Sequence, residues 1–246
     1  MAEFETIRRT GAGVRTAQID EGLRTHMNKV YGTMSVGTLV TFAVAWAVGS
    51  SPELLSVFRN PETLQPNILG WIIMFAPLIM VFAMGGMVNR LSTSGLQLFF
   101  YAFAAVMGLS IAWIFQAFTG MSIAQVFLVT SIAFAGLSLW GYTTKKDISG
   151  WGSFLIMGVI GLIVASLINI FLQSPALVFA VSILGVLIFA GLTAYDTQKI
   201  KTTYLQMRAT EGEEFLGKAA IMGALSLYLD FINMFMMLLS LFGNRE

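Results

Sequence analysis

The stretch Ala219–Phe242, AAIMGALSLYLDFINMFMMLLSLF, holds a single charged residue, Asp230, with eleven uncharged residues before it and twelve after it. As a helix it is long enough to cross a hydrocarbon core about 30 Å thick. An ionised Asp at the centre of such a helix costs at least ~2.5–3.5 kcal/mol, so residues of this kind face a polar cavity, pair with a partner or hold a proton. The function of the chain turns on what Asp230 is for.

The same apolar character recurs upstream. The chain of 246 residues is 57% hydrophobic and 11% charged, whereas soluble domains carry about 25% charged residues. Spanning needs about 20 apolar residues, and seven stretches qualify: 30–49, 68–88, 96–118, 121–144, 151–172, 175–195 and 219–242. Backbone polar groups cannot be left unpaired in lipid, and strands of a membrane barrel would read as ~10-residue alternating segments. The fold class expected is an all-α membrane protein, a seven-helix transmembrane domain over 30–246 behind a polar N-terminal tail over 1–29. The tail lacks a short apolar core followed by a small-residue cleavage site, which predicts no cleaved signal peptide.

Charge placement orients the bundle. With the N-terminus in the cytoplasm, the inner segments hold Arg8, Arg9, Arg15, Arg24 and Lys29 of the tail, Arg90, Lys145, Lys146, Lys199, Lys201, Arg208 and Lys218, which is 12 of the 14 Lys and Arg. Basic residues collect on the cytoplasmic side, so the C-terminus is expected outside. The absence of Cys excludes disulfides and thiolate chemistry. A formal charge of +1 gives no reason to expect nucleic-acid binding, and the segments outside the bilayer are too small for a soluble catalytic domain.

Very short outer connections at Thr119-Gly120 and Gln173-Ser174 predict that spans 3 with 4 and 5 with 6 are hairpins of spatial neighbours. Small residues such as Gly108, Gly158, Gly161 and Gly185 permit close helix approach. Pro77 should kink span 2 or free a carbonyl. Trp46, Trp71, Trp140 and Trp151 fall near span ends, as interfacial aromatics do.

A second carboxylate, Asp196, lies in GLTAYDTQKIK (Gly191–Lys201) with 33 residues between it and Asp230. If span 6 runs on to about Leu205 and span 7 begins near Ile221, antiparallel packing sets both carboxylates ~14 Å below the turn. Lys199 and Lys201 then snorkel to the interface. A strict apolar-run placement instead leaves Asp196 at the surface, solvated or paired with Lys199, and Asp230 deep. If the two meet, repulsion and desolvation oppose double ionisation, so they share a proton and titrate as a pair. Such a pair is a pH sensor, and when charged it offers oxygen ligands to a hard cation such as Ca²⁺ in transit. Arg90, ending span 2 on the same side, is the natural counter-charge for a closed state. Ser226, Asp230 and Asn233 share one face of helix 7, and Thr193 holds the matching place one turn before Asp196.

The segments GLTAYDTQKIK and LYLDFINMFMMLLSLFG (Leu227–Gly243) resemble the Bax inhibitor-1, or transmembrane Bax inhibitor motif, family. NRLS at Asn89–Ser92, LQLFFYAFAAVMGLS at Leu96–Ser110 and GYTTKKDISGWGSFLIMGVIGLIVASLINIF at Gly141–Phe171 extend the likeness from span 1 onward, and the charge pattern resembles that of bacterial members. The resemblance implies a bundle whose last helix is central and wrapped by the other six. It also implies a paired-aspartate pH sensor at Asp196 and Asp230, with Arg90 as latch to Asp196. It implies a pH-sensitive Ca²⁺ leak in a bacterial inner membrane, or modulation of a membrane-anchored AAA protease, with no cofactor.

Three functions are thus in competition: a gated calcium leak, a non-conducting regulator that binds a partner such as that protease, and an intramembrane aspartyl protease. The last is disfavoured because the residues up to the second aspartate read Leu227-Tyr228-Leu229-Asp230 rather than GxGD. His26, the lone histidine, sits in the polar tail and is expected to be exposed, which argues against Ser/His hydrolysis and a histidine metal cluster. Span 7 has no Lys for a retinal Schiff base. No enzymatic activity is expected.

Overall fold

The computed structural model describes residues 2–60, 62–63 and 65–245, with side chains from Glu21 onward. Arg8, Arg9 and Arg15 of the tail therefore lie outside the described side chains. The helices are α1 (Ala2–Gly49), α2 (Pro52–Ser56), α3 (Ile68–Met87), α4 (Thr93–Ile111), α5 (Ile114–Ala117), α6 (Gly120–Thr143), α7 (Trp151–Leu172), α8 (Pro175–Met207) and α9 (Glu213–Phe242). Seven spans are long and apolar enough to cross a membrane, α4 and α5 together forming one.

Local chemistry sets where the spans begin. Side-chain oxygens of Asn67, Ser92, Thr119 and Ser174 accept from the backbone N–H three residues on, at Gly70, Gly95, Ser122 and Leu177. Each satisfies a donor that the first helical turn cannot. Pro175 occupies the first turn of α8, where a missing N–H is harmless. Pro77 lies buried within α3, which continues through it.

The bundle is built around α9. It packs against α8, α1, α6 and α4, while α3 packs on α4 and α7 on α8. The C-terminal helix is central as expected, but four helices line it rather than six. The outer pair, α3 and α7, present mostly exposed apolar side chains such as Phe82 and Phe154, a surface suited to lipid. The core around α9 is rich in edge-to-face aromatics: Tyr228 meets Phe100 and Phe103, and Phe231 meets Phe127 and Phe134.

Two further expectations need correction. Spans 3 and 4 do not pair: α6 contacts α8 and α9 instead of α4. The reason lies at the turn, where α5 redirects the chain and Thr119 N–H donates to Asn244 O while Asn244 N–H donates to Ser122 Oγ, so the connection is tied to the end of α9. Spans 5 and 6 do pack as a hairpin, α7 on α8. The other correction is His26, which is 7% exposed and lies 4.7 Å from the Tyr204 ring, centroid to centroid. Helix α1 carries the first span, and Leu23, Met27, Val30 and Met34 recur on it at helical spacing and are buried, so packing against the bundle begins ahead of the apolar run.

Candidate functional site: a carboxylate pair at the core of the bundle

Asp230 lies at mid-length in α9 and is 4% exposed. Its Oδ2 is buried without a hydrogen-bond partner. Buried polar atoms are nearly always satisfied, and an exception in a native core calls for a functional explanation such as a proton, a water or an ion. The polar residues expected to support it turn inward on their own helices. Asn233 Nδ2 donates to Leu229 O at 2.8 Å, and Thr193 Oγ1 donates to Phe189 O at 2.8 Å. Ser226, half-buried, shares the helical face of Asp230, and none of the three contributes a described hydrogen bond to its carboxyl.

Asp196 is brought to it by the length of α8. The helix runs to Met207 rather than stopping at the end of the apolar run, and Asp196 is half-buried within electrostatic reach of Asp230. The surface placement of Asp196 is thereby set aside. Lys199 also exerts its field on Asp196, yet its ammonium sits 5.9 Å from the centre of the Tyr195 ring and forms no ion pair with the carboxylate. Close packing holds α8 in this register: there is no room for a side chain at Gly141 on α6 against the Ala194 backbone, nor at Gly223 on α9 against Ile200.

Arg90 is elsewhere. It is exposed in the turn after α3, and α3 reaches the bundle through α4, so the Arg90–Asp196 contact is not made in this conformation. Among the described residues the ion pair formed is Lys218–Glu214 at 3.0 Å. No group of three or more His, Cys, Asp or Glu that could hold a metal occurs among the described residues. Calcium takes six to eight oxygens, more than two carboxyl groups offer.

The structure adds polar elements that the sequence did not single out. Tyr31 OH lies 2.6 Å from Ser138 Oγ, which lies 2.9 Å from Thr197 Oγ1, which donates to Thr193 O at 2.7 Å. Each hydroxyl has one proton, so the last donation fixes the others: Tyr31 donates to Ser138 and Ser138 to Thr197. This chain crosses α1, α6 and α8 and ends one residue from Asp196. Thr41 Oγ1 lies 2.6 Å from Tyr228 OH, two residues from Asp230, with the carbonyl oxygens of Ala104 at 2.8 Å and Gly37 at 3.0 Å as further acceptors for its proton. Partners 107 and 187 residues apart leave no local signal.

Toward the far end of α9, Asp230, Asn233, Met237 and Ser240 follow one helical face. The last two line a cavity of about 550 Å³ that also includes Ser166, Asn169, Ser182 and Arg245. The rest of its lining is mostly apolar, with Trp113, Phe118, Val178, Val181 and Leu239 among it, so polar groups are scattered through a largely apolar cavity further along α9.

These features define a polytopic helical membrane protein with a carboxyl, Asp230, buried at mid-length in its central helix. The family described as inhibitor of apoptosis-promoting Bax1 matches residues 23–246, and the chain belongs to that family. It is 45% identical to the inner membrane protein YbhL of Escherichia coli K12 over 226 residues, 92% of this chain and 94% of the relative. An uncharacterized protein of Caulobacter vibrioides is also 45% identical, over 232 residues, covering 93% of this chain and 92% of the relative. A Rickettsia prowazekii protein is 42% identical over 231 residues, with 92% of each chain covered.

Proposed function

We propose that this chain is a pH-sensitive leak for cations, calcium foremost, across a bacterial inner membrane, with its N-terminus in the cytoplasm. The observation that carries the reading is Asp230: a carboxyl at the centre of the central helix, with a buried oxygen left without a partner and Asp196 within reach of its charge. Keeping such a group in a core otherwise closed by aromatic packing costs stability, and a stability cost at a polar core site is a mark of function. The inner-membrane location is supported by the YbhL relative, and the orientation by the basic end of the bundle.

In this mechanism the two carboxyls share a proton and exchange it with the medium as one unit. Ionised, they attract a divalent cation; protonated, they release it. Asp196 when ionised also draws Arg90, and that latch belongs to a second conformation in which the end of α3 moves toward α8. Adding a proton to the pair frees Arg90 and biases the equilibrium toward the unlatched form. Asn233, Ser240 and the cavity beyond them line the path along α9.

The test is calcium entry into dye-loaded proteoliposomes between about pH 5 and pH 9, for wild type, Asp196→Asn and Asp230→Asn. The reading requires a pH-dependent flux whose profile shifts or vanishes in both variants. Flux no greater than in protein-free vesicles at every pH removes conduction, and the chain then acts as a partner-binding membrane protein, a membrane-anchored AAA protease being the partner to examine.

A further inference from the structure

We propose that a lysine-lined pocket at the basic end of the bundle binds the phosphate-bearing headgroup of an anionic phospholipid. The pocket has a volume of about 510 Å³ and lies between the α6–α7 loop and the last turns of α8. Its charged walls are Lys145, Lys146, Lys199 and Lys201 against a single carboxylate, Asp147.

That carboxylate is already engaged. Asp147 Oδ1 accepts from Ser149 N–H at 2.9 Å, and hydrogen bonding to Ser149 lowers its pKa, so it is charged and bonded within its own loop. None of the four lysines forms an ion pair among the described residues. Two are held by other contacts: Lys201 Nζ donates to Tyr142 O at 2.7 Å, and Lys199 lies over the Tyr195 ring. Lys145 and Lys146 extend from the loop, exposed. Four lysines lining one pocket with an excess of positive charge match a phosphate or diphosphate group.

The loop that carries two of them is a built wall. Gln198 on α8 accepts from Ile148 N–H at 2.9 Å through Oε1 and donates to Lys146 O at 2.8 Å through Nε2. Ile148 is buried beneath. The two amide bonds fix the loop against α8, so the lysines are presented on a fixed frame.

A lipid, rather than a soluble anion, is indicated by depth. Trp140 at the end of α6 and Trp151 at the start of α7 flank this loop, stack with ring centroids 6.1 Å apart and are 42% and 47% exposed. Interfacial Trp residues sit at headgroup level, and α7 beyond Trp151 exposes Phe154, Ile156 and Met157. The pocket therefore opens where headgroups lie, beside a surface that accepts acyl chains. Basic pockets between helices at this depth are recognised sites for phosphate-rich headgroups. The proposal concerns a face distinct from the carboxylate pair and holds whether or not the chain conducts.

The test uses the full chain in detergent, with phosphatidylglycerol binding measured by native mass spectrometry and chain-matched phosphatidylcholine as the neutral probe. Wild type should prefer phosphatidylglycerol. Lys145→Gln with Lys146→Gln should lose roughly 5-fold in that affinity per lysine, leaving phosphatidylcholine unchanged. Lys145→Arg with Lys146→Arg should restore it. An equal fall in Arg24→Gln with Arg208→Gln would reveal diffuse surface charge and overturn the site. Displacement of the lipid by millimolar inorganic phosphate would reassign the pocket to a soluble anion, and unchanged selectivity in the glutamine variant would dismiss it.

Discussion

Gly141→Ala measures how tightly the structure holds α6 against α8. A methyl group at Gly141 would strike the Ala194 carbonyl oxygen and lie 2.9 Å from its Cα and 3.0 Å from its carbonyl carbon. Non-bonded carbons rest at about 3.5–4.0 Å, so the helices must part by roughly 1 Å, and backbone cannot rotate aside as a side chain would. Overpacking of this kind costs ~1–3 kcal/mol. One turn away, the Ser138–Thr197 contact at 2.9 Å spans the same interface and would be stretched, at a further cost of about 0.5–1.5 kcal/mol. Ala is favoured over Gly within a helix by about 0.5–1 kcal/mol, so the net loss is about 0.5–4 kcal/mol, centred on ~2 kcal/mol. For a domain of this size that corresponds to a midpoint lowered by roughly 3–10 °C. Thermal unfolding followed by Trp emission reads it, with Gly136→Ala as the internal reference. Gly136 has open space where a Cβ would go, so its variant should match wild type or exceed it by up to ~1 kcal/mol. Gly141→Ala melting at or above wild type would refute the close approach that positions Asp196.

Other perturbations follow from the same geometry. Thr41→Val leaves the buried Tyr228 hydroxyl without its partner and should lower stability by ~1–3 kcal/mol, whereas adding Tyr228→Phe to it should cost less than the two single changes together; a simple additive result in unfolding midpoints would contradict the contact. Gln198→Leu removes both amide bonds to the α6–α7 loop, so hydrogen exchange at the Ile148 amide should rise by tenfold or more, about 1.4 kcal/mol of lost protection, with core amides unchanged. Replacing Asp230 by Ala should abolish calcium entry while lowering stability by less than ~1 kcal/mol, because the removed carboxyl oxygen was already unsatisfied; a loss of the 3–5 kcal/mol typical of breaking a buried pair would show that the carboxyl is structurally satisfied instead.

Much of this fold is legible in the apolar runs. The seven spans and the interfacial Trp residues follow from run length and composition, because lipid admits few alternatives to an uninterrupted helix. What the runs understate is how far helices continue past the hydrocarbon. Helix α8 proceeds through Lys199 and Lys201 to Met207, and their ammonium groups find partners at this end of the bundle, Lys199 over the Tyr195 ring and Lys201 on the Tyr142 ring and carbonyl. The charge pattern at 21–29 similarly hides an apolar stripe, Leu23, Met27 and Val30, that buries the beginning of the first span and His26 with it.

At the site, Asp230 announces itself by charge in an apolar run, and Asp196 becomes its neighbour only once the length of α8 is known. The hydroxyl chain from Tyr31 to Thr197 was not legible, because Tyr31, Ser138 and Thr197 come from three helices and hydroxyls are unremarkable in membrane spans. The position of Arg90 was not legible either. Its charge and side of the membrane follow from topology, but its distance from Asp196 depends on α3 packing on α4. The hairpin inferred from the short connection at Thr119 failed for a comparable reason, since the hydrogen bonds to Asn244 and the inserted α5 are tertiary facts.

The central claim is that a cation and a proton compete for the Asp196–Asp230 pair, and proton release on calcium addition measures it directly. Purified protein in weakly buffered detergent solution, monitored with a pH-sensitive dye, should release up to about one proton per chain when Ca²⁺ is added, since one proton is shared by the two carboxyls. Asp196→Asn and Asp230→Asn should each release far less. Undiminished release from both variants, or none from wild type at any pH at which calcium enters vesicles, would contradict the account.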